Sequence, residues 1–234
     1  MRFFNSTFSL LALSLFLFIG PSAQVMAVNK YFYLPESEFD SVLAKTELFK
    51  PVQILFDGTK QVLEDYFEIE IIDGTDNKVL METLLKWREV YTTNLGRFPD
   101  EAEAKEIYKA SSWDSIYQFI QMTASDANFY NKYIIVKYNK EVRAVGIATE
   151  ISGGLDIAAR LNHPDNLLPP VARQIVAGVR TVITNSGKSV TRGAIEYAKT
   201  SGQIKNVSSY ATTDRSVASY KALGFREGRA GECY

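Results

Sequence analysis

VRTVITNSGKSVTRGAIEYAKTSGQIKNVSSYATTDRSVASYKALGF, residues 179–225, reads in the order strand, turn, helix, strand, helix. Val179 to Thr184 is rich in β-branched residues and runs straight into Asn185-Ser186-Gly187, the composition of a strand closed by a tight turn. Beyond the turn, Val190, Ala194, Tyr197 and Ala198 recur at i, i+4, i+7 and i+8, while Arg192, Glu196 and Lys199 fall off that stripe. This is the pattern of an amphipathic helix packed on a sheet. Gly202 stops it. Ile204 to Thr212 again has strand composition, and Ser216 to Leu223 reads as a short helix ended by Gly224, with Phe225 behind it. A strand that feeds a helix through such a turn aims backbone N–H groups at an anion.

Working outward, Tyr133 to Tyr138 and Val142 to Ile151 are β-rich runs around Asn139-Lys140-Glu141, which predicts a hairpin. Between that hairpin and the opening strand lies Ser152 to Gln174, a long connection in which Leu155 to Pro170 is expected to border a substrate pocket. Phe67 to Ile72 alternates apolar and acidic residues, the period of a strand with one solvated face. Val79, Leu80, Leu84, Trp87 and Val90 or Tyr91 then give a helical stripe up to Gly96, with Thr75 or Asp76 as N-cap. A second helix is predicted from Pro99-Asp100-Glu101 and a third from Ser112, carrying Trp113, Ile116, Tyr117 and Phe119 to Met122. Nearer the N-terminus, Pro35 to Phe49 predicts a helix, Val52 to Phe56 a short strand and Lys60 to Tyr66 a helical turn or two.

The 234 residues suffice for one α/β domain, and 46% hydrophobic with 23% charged residues is an ordinary globular composition. With 26 basic and 27 acidic residues the net charge of -1 points to neither nucleic acid nor an anionic membrane as partner. Residues 1–27 differ from the rest: Arg2 is their only charge, the apolar run Phe8 to Ile19 follows, and Val25-Met26-Ala27 has the small-residue spacing of a cleavage site. A cleaved signal peptide and an exported domain are expected, with an uncleaved membrane anchor as the alternative. The expected organisation is 1–27 signal, 28–66 N-terminal extension and 67–234 the main domain. The single cysteine, Cys233, and the single histidine, His163, form neither an intrachain disulfide nor a zinc site, so no metal is expected.

The order of elements resembles the GNAT N-acetyltransferases over about Phe67 to Glu227. Tyr220-Lys-Ala-Leu-Gly224-Phe225 matches that family's Y-x-x-x-G-F segment, and Thr184 to Ser189 stands in place of its [RQ]-x-x-G-x-[GA] turn, matching at Gly187. The resemblance implies a central mixed β-sheet flanked by helices and transfer of an acetyl group from acetyl-CoA to a primary amine of a small molecule or protein. It also implies that Val182, Ile183 and Thr184 offer strand backbone to the pantetheine arm, and that Asn185, Ser186, Gly187, Lys188 and Ser189 cradle the pyrophosphate. Tyr220 would be the general acid that protonates the departing thiolate, a role suited to a phenol. Thr184, Ser189 and Thr213 depart from the residues usual in that family, and Lys188 is placed to face phosphate in compensation.

For a base, Glu150, Asp156 and Asp214 are candidates by position, with a water chain as the alternative. Gly187-Lys188-Ser189 fails as a nucleotide-binding Walker loop, because Val182 stands where that loop needs a glycine. Two functional readings stay open: an acyl-CoA-dependent N-acyltransferase, and an exported non-catalytic binding or interaction module on the same scaffold.

Overall fold

In the computed structural model the described residues are 30–55, 57–98, 103–125, 130–168 and 181–228. The expected signal segment, the helix start at Pro99-Asp100-Glu101, and Cys233 lie outside them. No helix among the described residues is long and apolar enough to cross a membrane.

The larger sheet runs in the order β10 (Arg226–Gly228), β1 (Lys30–Pro35), β9 (Asn206–Ala211), β7 (Gly154–Asn162), β6 (Glu141–Ile151), β5 (Asn131–Tyr138) and β4 (Glu68–Asp73). A smaller one runs β3 (Lys60–Val62), β2 (Val52–Leu55) and β8 (Thr181–Thr184). Of the described pairs only β7 with β9 is parallel. The mixed central sheet flanked by helices is therefore present.

Strand alternation sends alternate residues to opposite faces. Ile134, Val136, Ala144, Ala148, Leu155 and Ile157 join a core with α5 (Ser186–Ser201) and α6 (Asp214–Leu223) on one face. Tyr133, Val145, Ile147 and Leu161 join a second core with α2 (Lys78–Gly96), α3 (Glu103–Ser125) and the short α4 (Pro164–Leu167) on the other. Helix α5 buries Val190, Ala194, Ile195 and Ala198, and each fully buried Val or Ile contributes about 1.5–3 kcal/mol. It sits close because two glycines make room for it. A Cβ at Gly146 would overlap Val190 Cγ1, and one at Gly193 would lie 2.8 Å from Ile69 Cγ2. Gly202 ends α5 and Gly224 ends α6, both left-handed, at φ 65° and 99°.

Several sequence expectations are corrected. Of the strand expected to carry the site, Val179 to Thr184, the described part Thr181–Thr184 is not in the central sheet: β8 pairs with β2 in the small one, and Thr184 Oγ1 donates to Val52 O at 3.1 Å. Its place is taken by β7, which the sequence hid within the connection Ser152 to Gln174. A register shift opposite Ile147/Ala148 leaves Ala158 without a partner and breaks the alternation that would have announced the strand. Lys30–Pro35 lies between β9 and β10, so residues 28–66 supply a strand of the main sheet rather than an appendage. Within that segment, Pro35 to Phe49 folds as two 3-10 turns around the short α1 (Phe39–Leu43). Lys60 to Val62 is a strand on β2 and not a helical turn. Helix α3 passes through Ser112 without a break, since nothing from 103 to 125 is Gly or Pro. Asn77, rather than Thr75 or Asp76, precedes α2.

Candidate functional site

Strands β7 and β9 pair only from Gly154↔Asn206 to Ile157↔Ser209, although β7 continues to Asn162 and β9 to Ala211. Beyond Ile157, with the bulge at Ala158, the pairing of the two parallel strands ends, and this parting is the wedge. Ligands of α/β sheets settle at such carboxyl ends, where parallel strands part and helix N-termini converge. Here α5 starts beside the end of β7, and α6 starts at the end of β9.

The floor of the wedge is tied. Tyr220 is buried, stacked on Phe32 at 5.5 Å between centroids and tilted on Phe225 at 5.1 Å. Its phenol donates to Ser209 Oγ at 2.6 Å, and Ser209 Oγ donates to Ile157 O at 2.9 Å. Burial raises the phenol above its ordinary pKa, while the Arg160 guanidinium and the bond to Ser209 pull the other way. Arg160 itself reaches across the opening. Its Nη1 donates to Thr191 Oγ1 at 3.0 Å and more weakly to Gly187 O at 3.4 Å, and Cζ lies 4.4 Å from the Tyr220 ring centroid.

The lip is built from the first turns of α5 and α6. Asn185 takes a left-handed conformation at φ 71°, which asparagine tolerates, and its Nδ2 donates to Lys50 O at 3.1 Å. Ser186 Oγ bonds Asn162 Oδ1 at 3.1 Å, fixing α5 to β7, and a Cβ at Gly187 would stand 3.2 Å from the same oxygen. Ser189 turns inward to Phe49 O at 3.3 Å. Thr213 caps α6 in a reciprocal box with Ser216. Lys188, in the first turn of α5, is half-buried, and α5 has no acidic residue there. Burial and then the Arg215 guanidinium lower the Lys188 pKa. Among the described residues neither cation has a carboxylate partner.

The sequence-expected residues thus divide. Gly187, Lys188 and Tyr220 border the wedge, with Ser186 holding the start of α5 beside it. Asn185 and Ser189 spend their side chains on the 49–50 segment, and Val182, Ile183 and Thr184 spend their backbone on β2. Of the candidate bases, Glu150 is engaged by Tyr197 and Lys132, and Asp214 is exposed at the start of α6. Asp156 accepts from Ser208 Oγ. Arg160 and Arg215 were missed. For the first, an arginine among the apolar residues of Ile157-Ala-Ala-Arg160-Leu161 was the available signal, although the bulge at Ala158 breaks the alternation that would have given its face.

No family model matches the chain, and no curated protein matches it. Among solved structures, a Staphylococcus epidermidis ATCC 12228 protein of unknown function aligns with 86% of the chain at 9% identity and a TM-score of 0.44, over 57% of its own length. A tandem GNAT protein from the clavulanic acid biosynthesis pathway aligns with 86% at 11% identity and 0.41, over 50% of its length. A probable N-acyltransferase from Enterococcus faecalis V583 aligns with 77% at 13% identity and 0.33, over 38% of its length. The chain spans about half the length of the first two.

Proposed function

We propose that the protein is an acyl-CoA-dependent N-acyltransferase of GNAT type, exported or membrane-anchored through residues 1–27, which acylates a primary amine. The carrying observation is the parallel pair β7/β9 that parts after Ile157 beneath a lip in which, among the described residues, Lys188 and Arg215 make no ion pair with a carboxylate. A cation in the first turn of a helix stands at the positive end of the dipole, where an anion belongs; a pyrophosphate there reverses the balance. The edge of β7 beyond Ile157 that faces away from β6 and is no longer paired with β9 receives the amides of a pantetheine arm, in the role the sequence had given to β8. In the transfer the neutral amine nitrogen attacks the thioester carbonyl, the C–N bond forms and the C–S bond breaks. The sulfur leaves with the bonding pair and takes the phenolic proton of Tyr220, while the proton shed by the nitrogen returns to the phenolate through water.

A second reading, a non-catalytic binding module, is favoured by one feature: the Tyr220 proton is committed to Ser209 and Arg160 bridges the opening. Both must be displaced for turnover. Thermal unfolding of the chain with acetyl-CoA, CoA and no ligand decides between them. Binding at a hundred times the dissociation constant adds about 2.7 kcal/mol. Stabilisation with acyl transfer supports the enzyme, stabilisation without transfer to any of a panel of amines supports the module, and no shift at millimolar acetyl-CoA removes the acyltransferase reading.

A further inference from the structure

We propose that Arg160 is a positioning residue of the transfer: carried by β7 over the Tyr220 ring, its guanidinium stabilises the phenolate left when Tyr220 gives its proton to the departing sulfur. The proposal rests on the acyltransferase reading and adds to it the cation that lets a buried phenol act as an acid.

A phenol that gives up its proton carries a negative charge until the proton returns, and Tyr220 is fully buried. Such a charge is costly away from water unless donors or cations answer it. Two apolar rings, Phe32 from β1 and Phe225 after α6, lie against Tyr220, and Ser209 from β9 accepts its proton. The charged groups that act on the phenol both come from β7. Asp156 opposes its ionisation, and Arg160 favours it. Burial raises the phenol above its ordinary value, and the Arg160 charge, ahead of the Ser209 bond, pulls it back. The Ser209 hydroxyl, which donates to Ile157 O at rest, is the donor that can turn to the phenolate.

The bulge of β7 is what aims Arg160. In a regular strand a residue three positions after Ile157 would point to the opposite face. Here the register skips Ala158 and the alternation is reset: Ala159 and Leu161 pack with the second core, while Arg160, opposite Gly146 beneath α5, shares the face of Ile157. From there Cζ lies 4.4 Å from the Tyr220 ring centroid, over the ring into which a phenolate spreads its charge. Nη1 rests on two neutral acceptors of α5, Thr191 Oγ1 and Gly187 O. Among the described residues no carboxylate pairs with Arg160. A partly buried guanidinium without an anion is held at a cost, and the anion that answers it forms when Tyr220 is deprotonated. A pantetheine arm entering the wedge displaces the guanidinium from Thr191 and Gly187, the bridge across the opening, and leaves its contact with the ring.

The test uses the full chain labelled with 3-fluorotyrosine, whose phenol ionises at lower pH than that of tyrosine, and follows the rings by fluorine NMR against pH. The Tyr220 signal is the one missing from Tyr220→Phe. Arg160→Gln removes the charge and keeps an N–H for Thr191 and Gly187 O. In it the Tyr220 phenol should titrate about one pH unit or more higher than in the wild type, a tenfold change. Arg160→Lys keeps the charge, and Thr191→Val removes a tie while leaving the charge, so both should stay within about half a unit of the wild type. An unchanged titration in Arg160→Gln, the same shift in Thr191→Val, or a wild-type Tyr220 that does not ionise before the chain unfolds overturns the proposal. If Arg160→Gln does not fold, Arg160→Met takes its place. Turnover of acetyl-CoA should fall about tenfold in Arg160→Gln and recover in Arg160→Lys, with acetyl-CoA affinity kept. A titration shift in a protein that ignores acetyl-CoA would leave the hold of Arg160 on Tyr220 standing and remove the acyltransferase reading. Acyl transfer with no titration shift would do the reverse.

Discussion

At the floor of the wedge Tyr220, Ser209 and the Ile157 carbonyl are bonded in series beneath Phe32 and Phe225, whereas at its lip burial and the Arg215 guanidinium lower the Lys188 pKa and, among the described residues, neither cation has a carboxylate partner. The floor satisfies its own polar groups, which is how a fold holds a shape. The lip does the opposite: it gathers like charge at a helix N-terminus, where the backbone dipole is already positive. A protein gains nothing in stability from such a lip, so its worth lies in what binds there. On the proposed reading the resting lip is ready for its ligand, and catalysis needs the floor to let go of one bond. The two ends can be tested separately.

The largest effect should come from the floor. Tyr220→Phe keeps the ring against Phe32 and Phe225 and removes only the hydroxyl, leaving Ser209 bonded to Ile157 O. Loss of a general acid lowers turnover by about 10²–10⁴-fold, and CoA affinity should stay as it was. The lost hydrogen bond should cost about 0.5–1.5 kcal/mol in urea unfolding. Unchanged turnover would reduce Tyr220 to a tie between α6 and β9, and the difference between floor and lip would then be one of packing alone.

How much of this the sequence disclosed depended on the range of the interaction. Helix α5, its stop at Gly202, the stop at Gly224 and the β5/β6 hairpin are short-range features, and each was legible from spacing or turn chemistry. Sheet membership was not. Thr181–Thr184 has the composition of a central strand, yet its partner is Val52–Leu55, more than a hundred residues away, and nothing local distinguishes that pairing from one with β7. Strand β7 was hidden by its own bulge, although Ser152 and Gly153, at φ 45° and 80°, form the kind of tight turn that joins hairpin strands. In the candidate site, Gly187, Lys188 and Tyr220 could be singled out together because they lie in one run of sequence. Arg160 and Asp156 gain their meaning from neighbours on α5, α6 and β9, which the sequence could not bring together.

The next effect belongs to the lip. Lys188→Gln removes one charged donor from the proposed pyrophosphate cradle, and a hydrogen bond to a charged group is worth about 1.5–3 kcal/mol. CoA affinity should fall about ten- to a hundredfold by calorimetry, with turnover at saturating donor little changed. Equal affinity in the variant would place the phosphates elsewhere and leave the lip without its ligand.

The smallest effect has the opposite sign. In the free protein Lys188 is half-buried beside Arg215, and both burial and that neighbour lower its pKa from the ordinary value of about 10.4. Between the lowered folded value and the ordinary one, the unfolded chain holds the proton that the folded chain has released. Stability contributed by this group therefore rises with pH through that window and is lowest below it, where the folded protein must carry the charge. Lys188→Gln removes the charge at every pH. It should stabilise the unliganded protein at pH 7 by about 0.3–1 kcal/mol, nearer the lower figure because water screens the exposed half of the side chain. By pH 10 to 11 the advantage should shrink as the wild-type lysine discharges. Urea unfolding of both proteins at the two pH values measures this difference, and other titrating groups cancel between them. A variant less stable than the wild type at pH 7 would show that Lys188 has a partner within the fold, and the lip would then resemble the floor.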